Sequence, residues 1–249
     1  MDNFLNKACI IIPTQIDSDD RFFNINFIVN YYSEFNIIIK ETGLEKKLNF
    51  DCSPNVKHIF EFNDNPIFHK TKVLNDLYRF CDSEILIVLD ADVLIPKESL
   101  YSAINLIESG DFDAVYPYRF NNGVYMLDRH KTDELDVSNL DMNITTNINA
   151  GYGYCVLIKK NSFESIGCEN EDFFGYAPED WERHDRIKKL LRVQYLDNIC
   201  YHINHQIINF HNKQPFFQEN QNLYNRINTY NGEEYKCYVE KLKEKYIKQ

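Results

Sequence analysis

The chain has 249 residues, with 27 Lys and Arg against 38 Asp and Glu, a formal net charge of −11. Hydrophobic residues at 44% and aromatics at 14% can furnish a packed core and exclude wholesale disorder, while the acidic balance disfavours non-specific binding to a polyphosphate backbone. No apolar run approaches the ~20 residues of a bilayer span, and the start MDNFLNKACIII lacks the layout of a signal peptide. The expectation is a soluble, cytoplasmic protein.

The seven cysteines are odd in number and scattered, with no CxxC pair, which implies free thiols in a reducing compartment. In chain order, Ala8–Ile12 reads as a buried strand ended by Pro13, and Arg21–Tyr32 has helical spacing. NIIIK (36–40) is a second strand closed by Gly43, KHIFEF (57–62) a third, and Phe68–Phe80 a helix. Glu84–Leu89 is the most apolar strand and is expected to be central in a parallel sheet. Pro96–Glu108 reads as a helix with Pro at its start, and Phe112–Tyr116 as a strand.

After Pro117 the composition turns polar, and 119–149 reads as long loops or an inserted lobe. Tyr152–Lys159 returns to strand, and Asn161–Ser165 is a short capped helix. Pro178–Leu191 is a helix that begins acidic and ends basic, as its macrodipole prefers. Gln194–His202 is strand-like. The tail Gly232–Gln249 is an amphipathic helix whose Tyr235, Tyr238, Val239, Leu242 and Tyr246 could dock onto the body. The expected fold class is α/β, with a Rossmann-like, mostly parallel sheet flanked by helices and a helical tail. No Gly/Ser/Pro-rich linker divides the chain, so 1–249 reads as one domain.

Three segments could carry chemistry. EILIVLDADVLI (84–95) runs a strand into Asp90-Ala91-Asp92, and strand alternation puts both carboxylates on one face. At the carboxyl end of a central strand they would suit Mg²⁺ or Mn²⁺; otherwise they are two solvated aspartates in a turn. FFGYAPEDWERHDR (173–186) delivers Glu179 and Asp180 to a helix start, either as ordinary N-terminal charge or as a general base beside an acceptor. Its aromatics, including Tyr176 and Trp181, have faces that stack on sugar rings. In HINH (202–205) two imidazoles three residues apart could share one metal or be structural, and His211 lies further on. No GxGxxG, GxxxxGK[ST], GxSxG or HExxH occurs, which removes Rossmann dehydrogenases, P-loop enzymes, α/β-hydrolases and zincins.

With these segments in order, the chain resembles GT-A-fold glycosyltransferases, in particular the β-1,4-galactosyltransferase-like group that includes domains of chondroitin-type polymerases. The likeness runs through CIIIPTQIDSDDR, NIIIKETG, FHKTKVLN, LDADVLIP, GYGYCVLIKKNSFESIG, FFGYAPEDWE and HINH, over most of residues 8–215. The resemblance implies a nucleotide-sugar half (1–116), an acceptor and metal half (117–215) and a helical tail (216–249). It implies an inverting, metal-dependent transfer from a UDP-sugar to a glycan or lipid-linked glycan, as in capsular or other surface polysaccharide synthesis. Contact with an inner membrane face would be peripheral.

Carried over by position, Asp92, His202 and His205 would hold Mn²⁺ or Mg²⁺, with His202 replacing a Met of the family. Pro13, Thr14, Arg21, Glu41, Lys70, Asp90 and Gly153 would meet the donor. Asp180 would be the catalytic base, with Glu179, Tyr176 and Trp181 at the acceptor. Pro178 and Tyr154 replace family glycines. Gly151 stands where galactosyltransferases carry a donor-gating Tyr, which leaves more room at the donor sugar. Two other activities share this structural neighbourhood: a sugar nucleotidyltransferase, which the acidic PTQIDSDDR loop disfavours, and a non-catalytic sugar-binding module.

Overall fold

The computed structural model describes residues 7–51, 53–128, 144–149, 151–205 and 215–247. The strands are β1 (Ala8–Thr14), β2 (Asn36–Gly43), β3 (Val56–Phe62), β4 (Ile85–Leu89), β5 (Val93–Leu94), β6 (Ala114–Tyr116), β7 (Val124–Leu127), β8 (Ile144–Ile148), β9 (Cys155–Lys159), β10 (Val193–Tyr195) and β11 (Cys200–Ile203). The helices are α1 (Asp19–Tyr31), α2 (Lys70–Phe80), α3 (Lys97–Glu108), α4 (Lys160–Ser165), α5 (Glu179–Leu190), α6 (Phe217–Asn228) and α7 (Gly232–Tyr246).

Seven strands form the main sheet in the order β10-β6-β9-β4-β1-β2-β3, and only β9 runs against its neighbours. The runs ACIII and ILIVL are buried throughout and CVLIK in all but Lys159, as interior strands of such a sheet are, and β4 lies at the middle of the order. A second sheet, β5-β11-β7-β8, stands at the carboxyl end of β4. Its two-residue β5 pairs antiparallel with β11, setting His202 opposite Val93. That register places the HINH segment beside Asp92.

Several boundaries differ from the sequence reading. Pro13 lies inside β1 and Gly43 ends β2 rather than following it. The polar 119–149 region contributes β7 and β8, which the reading as loops missed because their pairing partners are remote. Gln194–His202 is two strands of different sheets, not one. The helical tail expected over 216–249 is two helices, α6 and α7, and α4 has no side-chain cap. Asp90 and Asp92 lie in a turn after β4 ends at Leu89, so strand alternation does not govern their directions.

The tail helix does dock. Tyr235, Val239, Leu242 and Tyr246 are buried, and Tyr238 donates to Glu182 at 2.7 Å. The Tyr246 hydroxyl accepts from the Glu171 amide at 3.0 Å. Six described cysteines are free thiols, five of them buried. Among the described residues no helix is long and apolar enough to cross a membrane.

Candidate active site

The turn after β4 splits its two carboxylates between different partners. Asp92 faces β11 and α1: its oxygens lie 3.1 Å from His205 Nε2, 3.6 Å from His202 Nε2 and 3.4 Å from Arg21 Nη1. Ser18 caps α1 by accepting from the Arg21 amide, which fixes Arg21 in the first turn. The Ile203 amide donates to the Asp92 carbonyl at 2.8 Å and ties β11 to the turn. Burial opposes the charge on Asp92, but His202, His205 and Arg21 outweigh it and hold the carboxyl well below its usual range.

Ligand atoms of Asp92, His202 and His205 all lie within 4.8 Å of one another. His202 Nδ1 is buried without a hydrogen-bond partner, and burial, the leading cause, keeps its ring toward the neutral form a metal needs. One hard oxygen and two imidazole nitrogens form a donor set suited to a divalent cation. His211 lies outside the described residues.

Asp90 turns the other way. Lys70, the first residue of α2, lies 2.8 Å from Asp90, 3.2 Å from Asp180 and 3.9 Å from Glu179. Burial opposes the charge on Lys70, and the Asp180, Asp90 and Glu179 carboxylates outweigh it and hold the ammonium above its usual range. This ammonium is the bridge between the turn after β4 and the start of α5.

At that start the two adjacent acids have opposite environments. Asp180 receives Lys70 and, at 2.8 Å, Arg183 Nη2. Burial opposes its ionisation, yet the two cations hold it below its usual range. Glu179 is 7% exposed, its Oε2 has no partner, and burial with the Asp180 charge pushes it up to about 8. Near neutral pH this makes Asp180 the carboxylate and Glu179 the carboxylic acid, a separation of roles set by surroundings.

Arg183 and Glu169 were not picked out from sequence. Arg183 is buried and spans Glu169 Oε1 at 2.7 Å and Asp180, anchoring the acid from behind. The signal available was its i+3 spacing from Asp180 on one helix. Gly153 is also placed here: a Cβ there would overlap the Asp180 carboxylate. Trp181, 51% exposed, stands edge-on to Tyr152 and Tyr224, and Tyr176 is 40% exposed, so both rings flank the acids in the chain and remain open to solvent.

Other residues assigned by the resemblance sit apart from this centre. Glu41 is turned into its own loop, accepting from the Lys47 and Leu48 amides and facing His58 at 3.0 Å. Pro13 and Thr14 are buried at the end of β1. An open hollow of about 460 Å³ beside them is lined in part by Ile16, Asp17, Phe22 and Lys47. The Gly151 carbonyl accepts from Tyr118 at 3.0 Å.

Comparison with known proteins bears on this arrangement. The sequence model of glycosyl transferase family 2 matches residues 63–167, a stretch that includes Lys70, Asp90 and Asp92 and stops before α5 and β11. No curated protein matches the chain. Among solved structures, S. aureus TarS 1–349 in complex with UDP-GlcNAc superposes with a TM-score of 0.56 at 13% identity, covering 97% of this chain and 71% of that one. S. aureus TarS 1–349 gives 0.52 at 16% identity over 79% and 60%, and a further S. aureus TarS structure 0.54 at 14% over 80% and 37%. The chain thus spans 60% of the length of one and 37% of the other. These likenesses define the GT-A fold. The family model covers under half of the chain, and what these comparisons share with it is the fold and the 63–167 segment.

Proposed function

We propose that the chain is a divalent-cation-dependent, inverting glycosyltransferase that moves a hexose or N-acetylhexosamine from a UDP-linked donor to a glycan hydroxyl. The observation that carries this reading is the Lys70 bridge, which joins Asp90, in the turn that also bears Asp92 of the Asp92–His202–His205 cluster, to the Glu179–Asp180 pair. The UDP-GlcNAc held by TarS supports a UDP-sugar donor, and the ordered motifs favour the galactosyltransferase-like branch.

Asp92, His202 and His205 would hold the cation, which neutralises diphosphate charge when bound. Two imidazoles favour Mn²⁺ over Mg²⁺, which prefers all-oxygen shells. Lys70 would contribute further positive charge on the donor side. On the acceptor side, Trp181 and Tyr176 would stack on a sugar while Glu179 donates its proton in a hydrogen bond to it. Asp180 would accept the hydroxyl proton as that oxygen bonds to the anomeric carbon. The bond from that carbon to UDP breaks on the opposite face, so the configuration inverts. The acceptor would belong to capsular, lipopolysaccharide or other surface polysaccharide synthesis, met at the cytoplasmic face of a membrane. On this reading residues 1–249 work as one GT-A unit.

The test is UDP release from a panel of UDP-sugars with Mn²⁺, with Mg²⁺ and with chelator. Release that needs the cation is expected, even at the slow rate of donor hydrolysis without acceptor. Neither release nor UDP binding under any condition would overturn the reading.

A further inference from the structure

A second concavity lies on the α2 flank of the sheet, away from the Asp92 cluster. It encloses about 180 Å³ between the ends of β2 and β3, the 63–69 loop, the first turn of α2 and Phe174. That is room for roughly six waters at their liquid volume.

Its charges are compensated within the wall. Lys40 pairs with Asp76 at 2.5 Å and also with Glu61, and Lys72 stands 3.6 Å from Glu61. No cation is left over to select a phosphate, and no uncompensated acid to select a metal. The rest of the lining mixes the amides of Asn63 and Asn65 with the apolar faces of Phe174 and Ile67. Thr42, also in the wall, has a buried hydroxyl without a partner. Polar groups of both kinds beside an aromatic face, without net charge, match a neutral polyol.

The cavity wall is joined through the chain to the acceptor side of the candidate site. His69, in its wall, packs edge-on against Phe174 at 4.7 Å and directly precedes Lys70. Phe174 opens the loop that leads through Tyr176 to Glu179, and a Cβ on Gly175 would meet Ile67 at 3.1 Å. We infer that this cavity is a subsite for a neutral sugar residue of the acceptor, one or more units away from the hydroxyl that reacts. Its place in catalysis rests on the glycosyltransferase reading, but its binding chemistry does not.

The experiment is saturation-transfer NMR on the full chain with glucose, galactose, N-acetylglucosamine, cellobiose and lactose, without nucleotide. At least one should bind with millimolar affinity. Lys72→Ala, an exposed replacement, and Ile67→Phe, which fills the space, should each weaken it at least about fivefold, the scale of one lost contact. Asp92→Ala should leave it unchanged. Absence of binding by all five sugars, or binding by both cavity variants at the wild-type level, overturns the subsite. A parallel titration with UDP and Mn²⁺, read by the single tryptophan, Trp181, separates the two readings. UDP binding without sugar binding sinks only the subsite, whereas sugar binding sensitive to both variants without UDP binding sinks only the transferase.

Discussion

The Lys70 ammonium lies 3.2 Å from Asp180 and holds that carboxylate down while also contacting Asp90 at 2.8 Å. The base of the proposed reaction is thus already bonded to a residue of the donor side. A diphosphate arriving on that side competes for the same cation. On the proposed reading Asp180 would become a better proton acceptor as Lys70 turned toward the diphosphate, which would favour donor binding before acceptor.

Lys70→Met should therefore be costly twice. It leaves Asp90, Asp180 and Glu179 without their shared cation, a loss of about 3 kcal/mol by analogy with broken buried pairs. Lys70→Arg should recover most of the stability, because it keeps the charge. Urea unfolding of both variants measures this, and equal stability of Lys70→Met and wild type would show that solvent already screens the three acids.

Asp180 and Asp92 should separate cleanly. Asp180→Asn is expected to lower turnover about 10²–10⁴-fold, the usual share of a positioned base, with UDP affinity nearly intact. Asp92→Ala should abolish the cation-dependent part of UDP binding and turnover together. Calorimetric UDP titration beside UDP-release rates tests both, and wild-type turnover in Asp180→Asn would remove it as the base.

The raised Glu179 gives a pH signature. Its ordinary value is 4.5, and it is pushed up to about 8 when folded. Between these values the folded chain holds a proton that the unfolded chain has released. The associated stability is full below the unfolded value and is lost as pH rises through the folded one. The slope contributed is at most about 1.4 kcal/mol per pH unit. Glu179→Gln should flatten the dependence of unfolding free energy between pH 5 and 8, and an unaltered slope would place the titration elsewhere.

Gly153→Ala probes packing against the acid. A Cβ there would push the Asp180 carboxylate away from Lys70 and Arg183. A displacement of about 1 Å can cost on the order of 100-fold in rate. Turnover should fall sharply and the melting temperature should drop with the lost ion pairs; unchanged turnover would mean the carboxylate shifts without consequence.

The main sheet was legible because its strands are short apolar runs whose burial needs no knowledge of partners. Strands β7 and β8 were not, since VYML and ITTNI owe their conformation to pairing with each other and, for β7, with β11. The acidic turn and the HINH segment were recognisable as candidates, but their meeting depends on the two-residue β5, too short for periodicity to reveal. The opposed directions of Asp90 and Asp92 follow from the turn that ends β4. The brace formed by Arg183 and Glu169 joins residues whose helical and loop positions only the fold relates.

Helix α7 reaches back to the segment that carries the acids. Tyr246 accepts from Glu171 and its carbonyl receives Arg79 at 2.8 Å, while Tyr238 joins Asn170 to Glu182. During synthesis the cluster of Asp92, His202 and His205 is available once β11 has emerged. The contacts that α7 adds around the Glu179–Asp180 segment arrive only with residues 232–246, after Lys70, Glu169 and Arg183. On the proposed reading, a nascent chain would complete its candidate cation cluster before the last braces of its acceptor side are made.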